Sequence, residues 1–97
     1  MKYISTRGRA PALSFEDVVI AGLAEDGGLY LPESIPTFQP YELVRLQALS
    51  YPELAEEILI RFTGEDFGRA RLRTLIDKAY ANFRHEAIAP LTQIAPK

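Results

Sequence analysis

Apolar and polar residues alternate only at the start of this chain, whereas further along apolar residues recur at intervals of three and four. Residues 2–5 include the β-favouring Tyr3 and Ile4, and this predicts a short strand. Residues 29–31 predict a second one, which Pro32 closes because proline has no backbone N–H to continue a ladder. We expect the two strands to pair, with their relative direction left open.

A helix is predicted between these strands. Ser14 is a typical N-cap residue, and Asp17 follows three positions later in a capping-box arrangement. We expect the helix to end near Ala24, before the turn at residues 25–28. Apolar side chains cover so much of its surface that we expect it to be buried on most sides. These are Phe15, Val18, Val19, Ile20 and Leu23.

Three further helices are predicted, over about residues 40–49, 50–63 and 69–83. The second opens with Ser50 as cap and Glu53 completing a capping box, and Gly64 follows where a C-terminal cap is expected. Within it, Glu57 precedes Arg61 by one helical turn, a spacing that favours an ion pair. The last has the clearest helical periodicity, carried by Leu72, Leu75, Ile76, Ala79, Tyr80 and Phe83.

These elements predict a helix-rich α+β domain with a short two-stranded sheet at its N-terminal edge. We assign residues 1–84 to this domain. Residues 85–97 are spaced by prolines and read as an extended linker. A chain of 97 residues in which 47% are apolar can bury one hydrophobic core.

Composition excludes several classes of function. The chain has no cysteine, so it has neither disulfides nor thiolate nucleophiles nor cysteine-based zinc sites. Its net charge is −2 and its basic residues form no tight block, which argues against a nucleic-acid-binding surface. No run approaches the roughly 20 apolar residues that span a bilayer, and the start lacks a signal-peptide core. We expect a cytoplasmic protein with no membrane partner.

Residues that commonly carry chemistry are few. The single histidine, His85, follows a predicted helix C-terminus, where a solvated role is usual. Of the three lysines, Lys2 and Lys97 lie near the chain ends and Lys78 on a polar helix face. A lysine that captures an aldehyde needs a partly desolvated pocket. We therefore expect no catalytic, cofactor-binding or metal-binding residue in this chain.

Two short segments are candidates for anion binding. Thr6 and Arg7, within a Ser-Thr-Arg-Gly sequence, can direct several donors at a phosphate or carboxylate. Asp26, Gly27 and Gly28 form a turn whose backbone amides have room to approach an anion. Plain structural roles remain open for both: an edge-strand end for the first and a simple reversing turn for the second.

The order and spacing of several segments resemble the N-terminal part of the threonine synthase family. The match runs over nearly the whole chain, although each segment alone is weak. Its parts are residues 3–8, residues 14–17 and 21–24, residues 26–32 with Ile35-Pro36, Ala79-Tyr80-x-x-Phe83, and residues 88–91.

The resemblance implies an accessory domain that precedes the catalytic domains of a pyridoxal-phosphate enzyme. Such an enzyme converts O-phospho-L-homoserine and water to L-threonine and phosphate. The cofactor lysine would belong to a downstream Phe-Lys-Asp segment, so these 97 residues are expected to be inactive alone and to bind no cofactor. The implied partners are the catalytic domains of the same chain, and the substrate-proximal candidates are Thr6, Arg7, Asp26, Gly27 and Gly28.

A second interpretation stays open. Well-capped amphipathic helices without a catalytic dyad are also typical of an independent helical protein-interaction module with no catalytic role.

Overall fold

The computed structural model describes residues 1–83 and 87–95. Within them the chain forms three short strands and four helices. The strands are β1 (Lys2–Ser5), β2 (Leu13–Ser14) and β3 (Tyr30–Pro32), and the helices are α1 (Phe15–Ala21), α2 (Pro40–Leu46), α3 (Tyr51–Thr63) and α4 (Arg69–Tyr80). The predicted α+β class and its helix-rich character are confirmed.

The sheet has three strands in the order β2-β1-β3, rather than the predicted two. Both pairings are antiparallel, with Tyr3 opposite Leu13 and Ile4 opposite Leu31. The strand that the sequence did not reveal, β2, has only two residues, too few to show an alternating pattern. It forms because Gly8, at φ +73°, turns the chain back onto β1.

Helix α1 begins directly after its predicted N-cap, Ser14, and ends before the predicted position near Ala24. The Asp17 amide donates to the Ser14 hydroxyl oxygen at 3.4 Å. The helix stops at Ala21 because Gly22 leaves the helical region at φ +73°. The expectation that α1 is buried on most sides was wrong: Ile20 is 80% exposed. The described part of this chain packs on only one side of the helix.

The core lies between α3 and α4, where Ile60, Leu72 and Ile76 are buried together. Helix α3 has the predicted capping box at Ser50 and ends before Gly64. Helix α4 stops at Tyr80, three residues before the predicted end, and α2 likewise ends at Leu46.

Aromatic contacts join this core to the sheet. The Tyr3 hydroxyl donates to the Phe62 carbonyl at 2.6 Å, and its ring lies 6.1 Å from that of Phe15. Phe15 in turn meets Phe67 edge to face at 5.6 Å. Sheet, α1 and the α3–α4 pair therefore form a single packed body.

Candidate functional site

Both candidate segments meet at one end of the sheet, around the carboxylate of Asp26. The Ser5 hydroxyl donates to its Oδ1 at 2.7 Å, and the Gly28 amide donates to the same oxygen at 2.9 Å. The amides of Arg9 and Ala10 each donate to Oδ2 at 3.0 Å. One carboxylate thus joins the end of β1, the following loop and the turn before β3.

These hydrogen bonds stabilise the charged form of the Asp26 carboxyl. They favour the charged carboxylate and lower the pKa of Asp26 from 3.8 to about 2, with the Ser5 hydroxyl as the largest cause and the three amides adding to it. Partial desolvation opposes the change and is outweighed. At neutral pH the turn therefore contains a fixed negative charge.

Thr6 extends the pairing of β1 with β3 beyond the strand ends. Its amide donates to the Leu29 carbonyl at 2.8 Å, and its hydroxyl oxygen accepts from the Leu29 amide at 3.0 Å. Two of its polar groups are therefore committed to structure.

The two glycines have different roles in the turn. Gly27 adopts φ +84° and donates its amide to the Ala24 carbonyl at 2.9 Å. Gly28 needs the absence of a side chain, because a Cβ there would lie 2.9 Å from Thr6 Oγ1 and 3.0 Å from Asp26 Oδ1. Both amides donate inside the protein, so the turn does not direct them at an external anion.

Arg7 is the candidate with a cationic side chain that faces solvent. Its Nη1 donates to the Asp26 carbonyl at 3.1 Å, which holds the exposed side chain against the turn. A guanidinium carries five N–H donors in a rigid fork. Within the described residues this is the one hydrogen bond recorded for the Arg7 side chain. The arrangement presents a positioned cation that suits a carboxylate or phosphate.

Ser5 has a central role that the sequence analysis does not identify. It belongs to the Asp26 cluster, the hydrogen-bonded group formed by Ser5, Arg7, Arg9, Ala10, Asp26 and Gly28. Ser5 is 5% exposed, and besides donating to Asp26 its hydroxyl oxygen accepts from the Arg7 amide at 3.1 Å. Its position in the Ser-Thr-Arg-Gly segment was a signal that could have marked it. The Arg9 and Ala10 amides had no such signal, because backbone donors carry no residue type.

Other candidates do not gather into a site. Lys2 and Lys78 are both exposed, and neither lies in the kind of pocket that an aldehyde-capturing lysine needs. Lys97 and His85 fall outside the described residues. Over the described ranges, no group of histidine or acidic side chains is placed to hold a metal ion. No helix in that part of the chain is long and apolar enough to cross a membrane.

The fold and the Asp26 cluster define a small α+β domain whose sheet end is closed by an aspartate-centred turn. The chain belongs to the family described as threonine synthase N terminus, whose match covers residues 2–80.

Individual relatives agree with this membership. The chain is 47% identical over 94 residues to a threonine synthase of Pseudomonas aeruginosa, and 39% identical over 95 residues to threonine synthase-like 2 of Homo sapiens. Each match covers 97% of this chain and 20% of the relative.

Solved structures share its backbone. A threonine synthase from Brucella melitensis with bound PLP superposes with a TM-score of 0.89 at 47% identity, covering 96% of this chain and 20% of that one. A yeast threonine synthase gives 0.85 at 36% identity, covering 92% and 18%. This chain therefore spans about a fifth of the length of the relatives it matches.

Proposed function

We propose that this chain is the N-terminal accessory domain of a threonine synthase, which converts O-phospho-L-homoserine and water to L-threonine and phosphate. The observation that carries the proposal is the match along 97% of the chain to one fifth of a threonine synthase. In this proposal residues 1–84 form the domain and residues 85–97 lead towards the catalytic domains of the same polypeptide. The enzyme works in the cytoplasm.

Pyridoxal phosphate belongs to the rest of that enzyme. The exposure of Lys2 and Lys78 supports this assignment, because a lysine that captures an aldehyde needs a partly desolvated pocket. The cofactor supplies electron-withdrawing chemistry when bound. The contribution of this chain is structural support and, through Arg7, an anion-binding side chain at the edge of the domain.

The proposal is tested by comparing these 97 residues with the full-length protein of the same gene. We expect the full-length protein to retain pyridoxal phosphate after desalting and to release phosphate from O-phosphohomoserine, and the 97-residue chain to do neither. A gene product that ends at Lys97, or a longer one without this activity, would contradict the proposal. The first outcome would favour the independent interaction module.

Arg7 is the substrate-proximal candidate with the clearest test. In the full-length enzyme we expect Arg7→Ala to raise KM for O-phosphohomoserine by about 10- to 100-fold, the loss typical of a charged hydrogen bond, with a smaller change in kcat. Arg9→Ala is the matched control, because it removes a neighbouring exposed guanidinium and leaves the backbone amide that binds Asp26. Equal KM values for Arg7→Ala and the unaltered enzyme would remove Arg7 from the substrate site.

A further inference from the structure

The solvent-facing side of α1 is an apolar surface that the described chain leaves uncovered. Val19 and Ile20 lie on this side, and Leu23 follows just after the C-cap residue Gly22. We call these three the α1 ridge; each is more than 60% exposed. Between Asp17 and Glu25 there is no charged residue. Contiguous exposed apolar surface of this kind usually marks an interface.

A groove beside the α1 ridge has the same character. Val19 and Ile20 form one wall, and Phe67 and Leu75 belong to the other side. The charged groups at the groove satisfy each other, since Arg71 binds Glu16 at 2.7 Å and lies over the Phe67 ring at 4.1 Å. What the groove offers a partner is therefore mainly aliphatic and aromatic surface.

Helix α2 also exposes apolar side chains, yet its surface differs. Charged residues interrupt Tyr41, Leu43 and Val44, and these charges already pair with α3. Glu42 meets Arg61 at 3.5 Å, and Arg45 meets Glu57 at 3.9 Å. Of the two surfaces, the α1 ridge is the one that lacks polar groups of its own.

We infer that the α1 ridge is the face on which the pyridoxal-phosphate-binding part of the same polypeptide docks. This rests on the proposed function, because the occupant is the remainder of that enzyme. The length of the relatives supports this occupant: the same backbone recurs at a TM-score of 0.89 inside a chain of which it is one fifth. The other four-fifths of such a chain is the occupant available to this domain, and an apolar face without charges is the least costly surface to bury against it.

Docking at the α1 ridge has a consequence for the Asp26 cluster. Leu23, the last residue of the ridge, is three positions before Asp26, and Arg7 is hydrogen-bonded to the Asp26 carbonyl. The ridge thus ends close along the chain to the residue that holds the exposed guanidinium, and we expect a body that covers the ridge to approach Arg7. Ligand sites occur preferentially at such domain boundaries, so the docking face and the Arg7 proposal agree.

Cysteine labelling of the full-length protein tests the inference. Ile20→Cys and Val44→Cys are made separately, and their reaction with a maleimide is followed at each site by peptide mass spectrometry. This structure gives Ile20 the greater exposure, 80% against 67% for Val44. Docking reverses that order, and we expect Ile20→Cys to react about tenfold or more slowly, because only local opening would expose it. Equal or faster labelling of Ile20→Cys overturns the inference.

Two further measurements keep the result unambiguous. Leu23→Cys replaces Ile20→Cys if the latter does not fold, with the same expectation. Light scattering over a dilution series detects self-association; protection that disappears as the protein dissociates would assign the ridge to a second copy and overturn the inference. Turnover of O-phosphohomoserine is measured on the same samples. Protection without turnover refutes the proposed reaction alone, and turnover without protection refutes the docking face alone.

Discussion

Replacing Gly28 by alanine is expected to destabilise this chain by about 2–4 kcal/mol, the sum of a typical overpacking cost and of one or two weakened hydrogen bonds. The added Cβ would lie 2.9 Å from Thr6 Oγ1 and 3.0 Å from Asp26 Oδ1, and closer still to Ser5 Oγ. These atoms cannot move away cheaply, because the Asp26 carboxylate and the Thr6 hydroxyl are both held by hydrogen bonds. Urea denaturation gives the free energy of unfolding.

Gly8→Ala is the matched control for this substitution. Gly8 adopts φ +73°, and a Cβ there would meet no atom within 4 Å. Its replacement should cost about 1 kcal/mol, from the left-handed backbone alone. If Gly28→Ala proves no more destabilising than Gly8→Ala, the turn can widen freely and the close packing around Asp26 does not contribute to stability.

Local chemistry made much of the fold predictable. The cap at Ser50 and the break at Gly64 were read correctly because capping connects residues within one helical turn. The predicted ion pair between Glu57 and Arg61 was wrong, because the partner of Glu57 comes from another helix. Glu57 instead binds Arg69 at 2.9 Å, on the next helix, and a spacing along one helix cannot reveal a cation brought by another.

Periodicity predicts that a helix has an apolar face and does not say what covers it. In α4 the pattern correctly placed Leu72 and Ile76 in the core, while Leu75 of the same pattern is about half exposed. In α1 the same reasoning predicted burial that the described chain does not provide. If the docking inference holds, the sequence indicated an interface there and the error lay in assigning it to the domain's own core.

The candidate site was predictable in its parts and not in its connections. Thr6 and Arg7 on one side, and Asp26 to Gly28 on the other, were singled out independently about twenty positions apart in the sequence. The structure brings them together because β1 and β3 pair antiparallel. The bond from the Gly28 amide to Asp26 is a local turn contact. The donors from Ser5, Arg9 and Ala10 come from distant positions, so no local pattern could have shown them.

Protonation of Asp26 is expected to weaken the fold in acid. The pKa of Asp26 is about 2 in the folded chain, against an ordinary value of 3.8. As the pH falls, Asp26 therefore takes up a proton at a higher pH in the unfolded chain than in the folded chain. The stabilisation from the charged carboxylate is complete above pH 4 and is lost progressively as the pH falls from about 4 to about 2.

Asp26→Asn separates this effect from the other carboxyl groups. The amide keeps one acceptor oxygen and adds a donor that faces the donors now bound to Oδ1 or Oδ2, so the variant should be less stable than the unaltered chain at pH 7. The difference between the two proteins should shrink as the pH falls from 4 to 2, because Asp26 becomes neutral in the unaltered chain. The pKa of Glu53 is lowered mainly by the Ser50 amide. Glu53 is present in both proteins, so its contribution to the pH dependence cancels in the difference.

Urea midpoints measured at several pH values provide the comparison. Asp66→Asn, a change at an exposed carboxylate, is the control. A difference that is constant with pH would mean that the charge on Asp26 contributes nothing, and that the turn depends on the shape of the side chain alone.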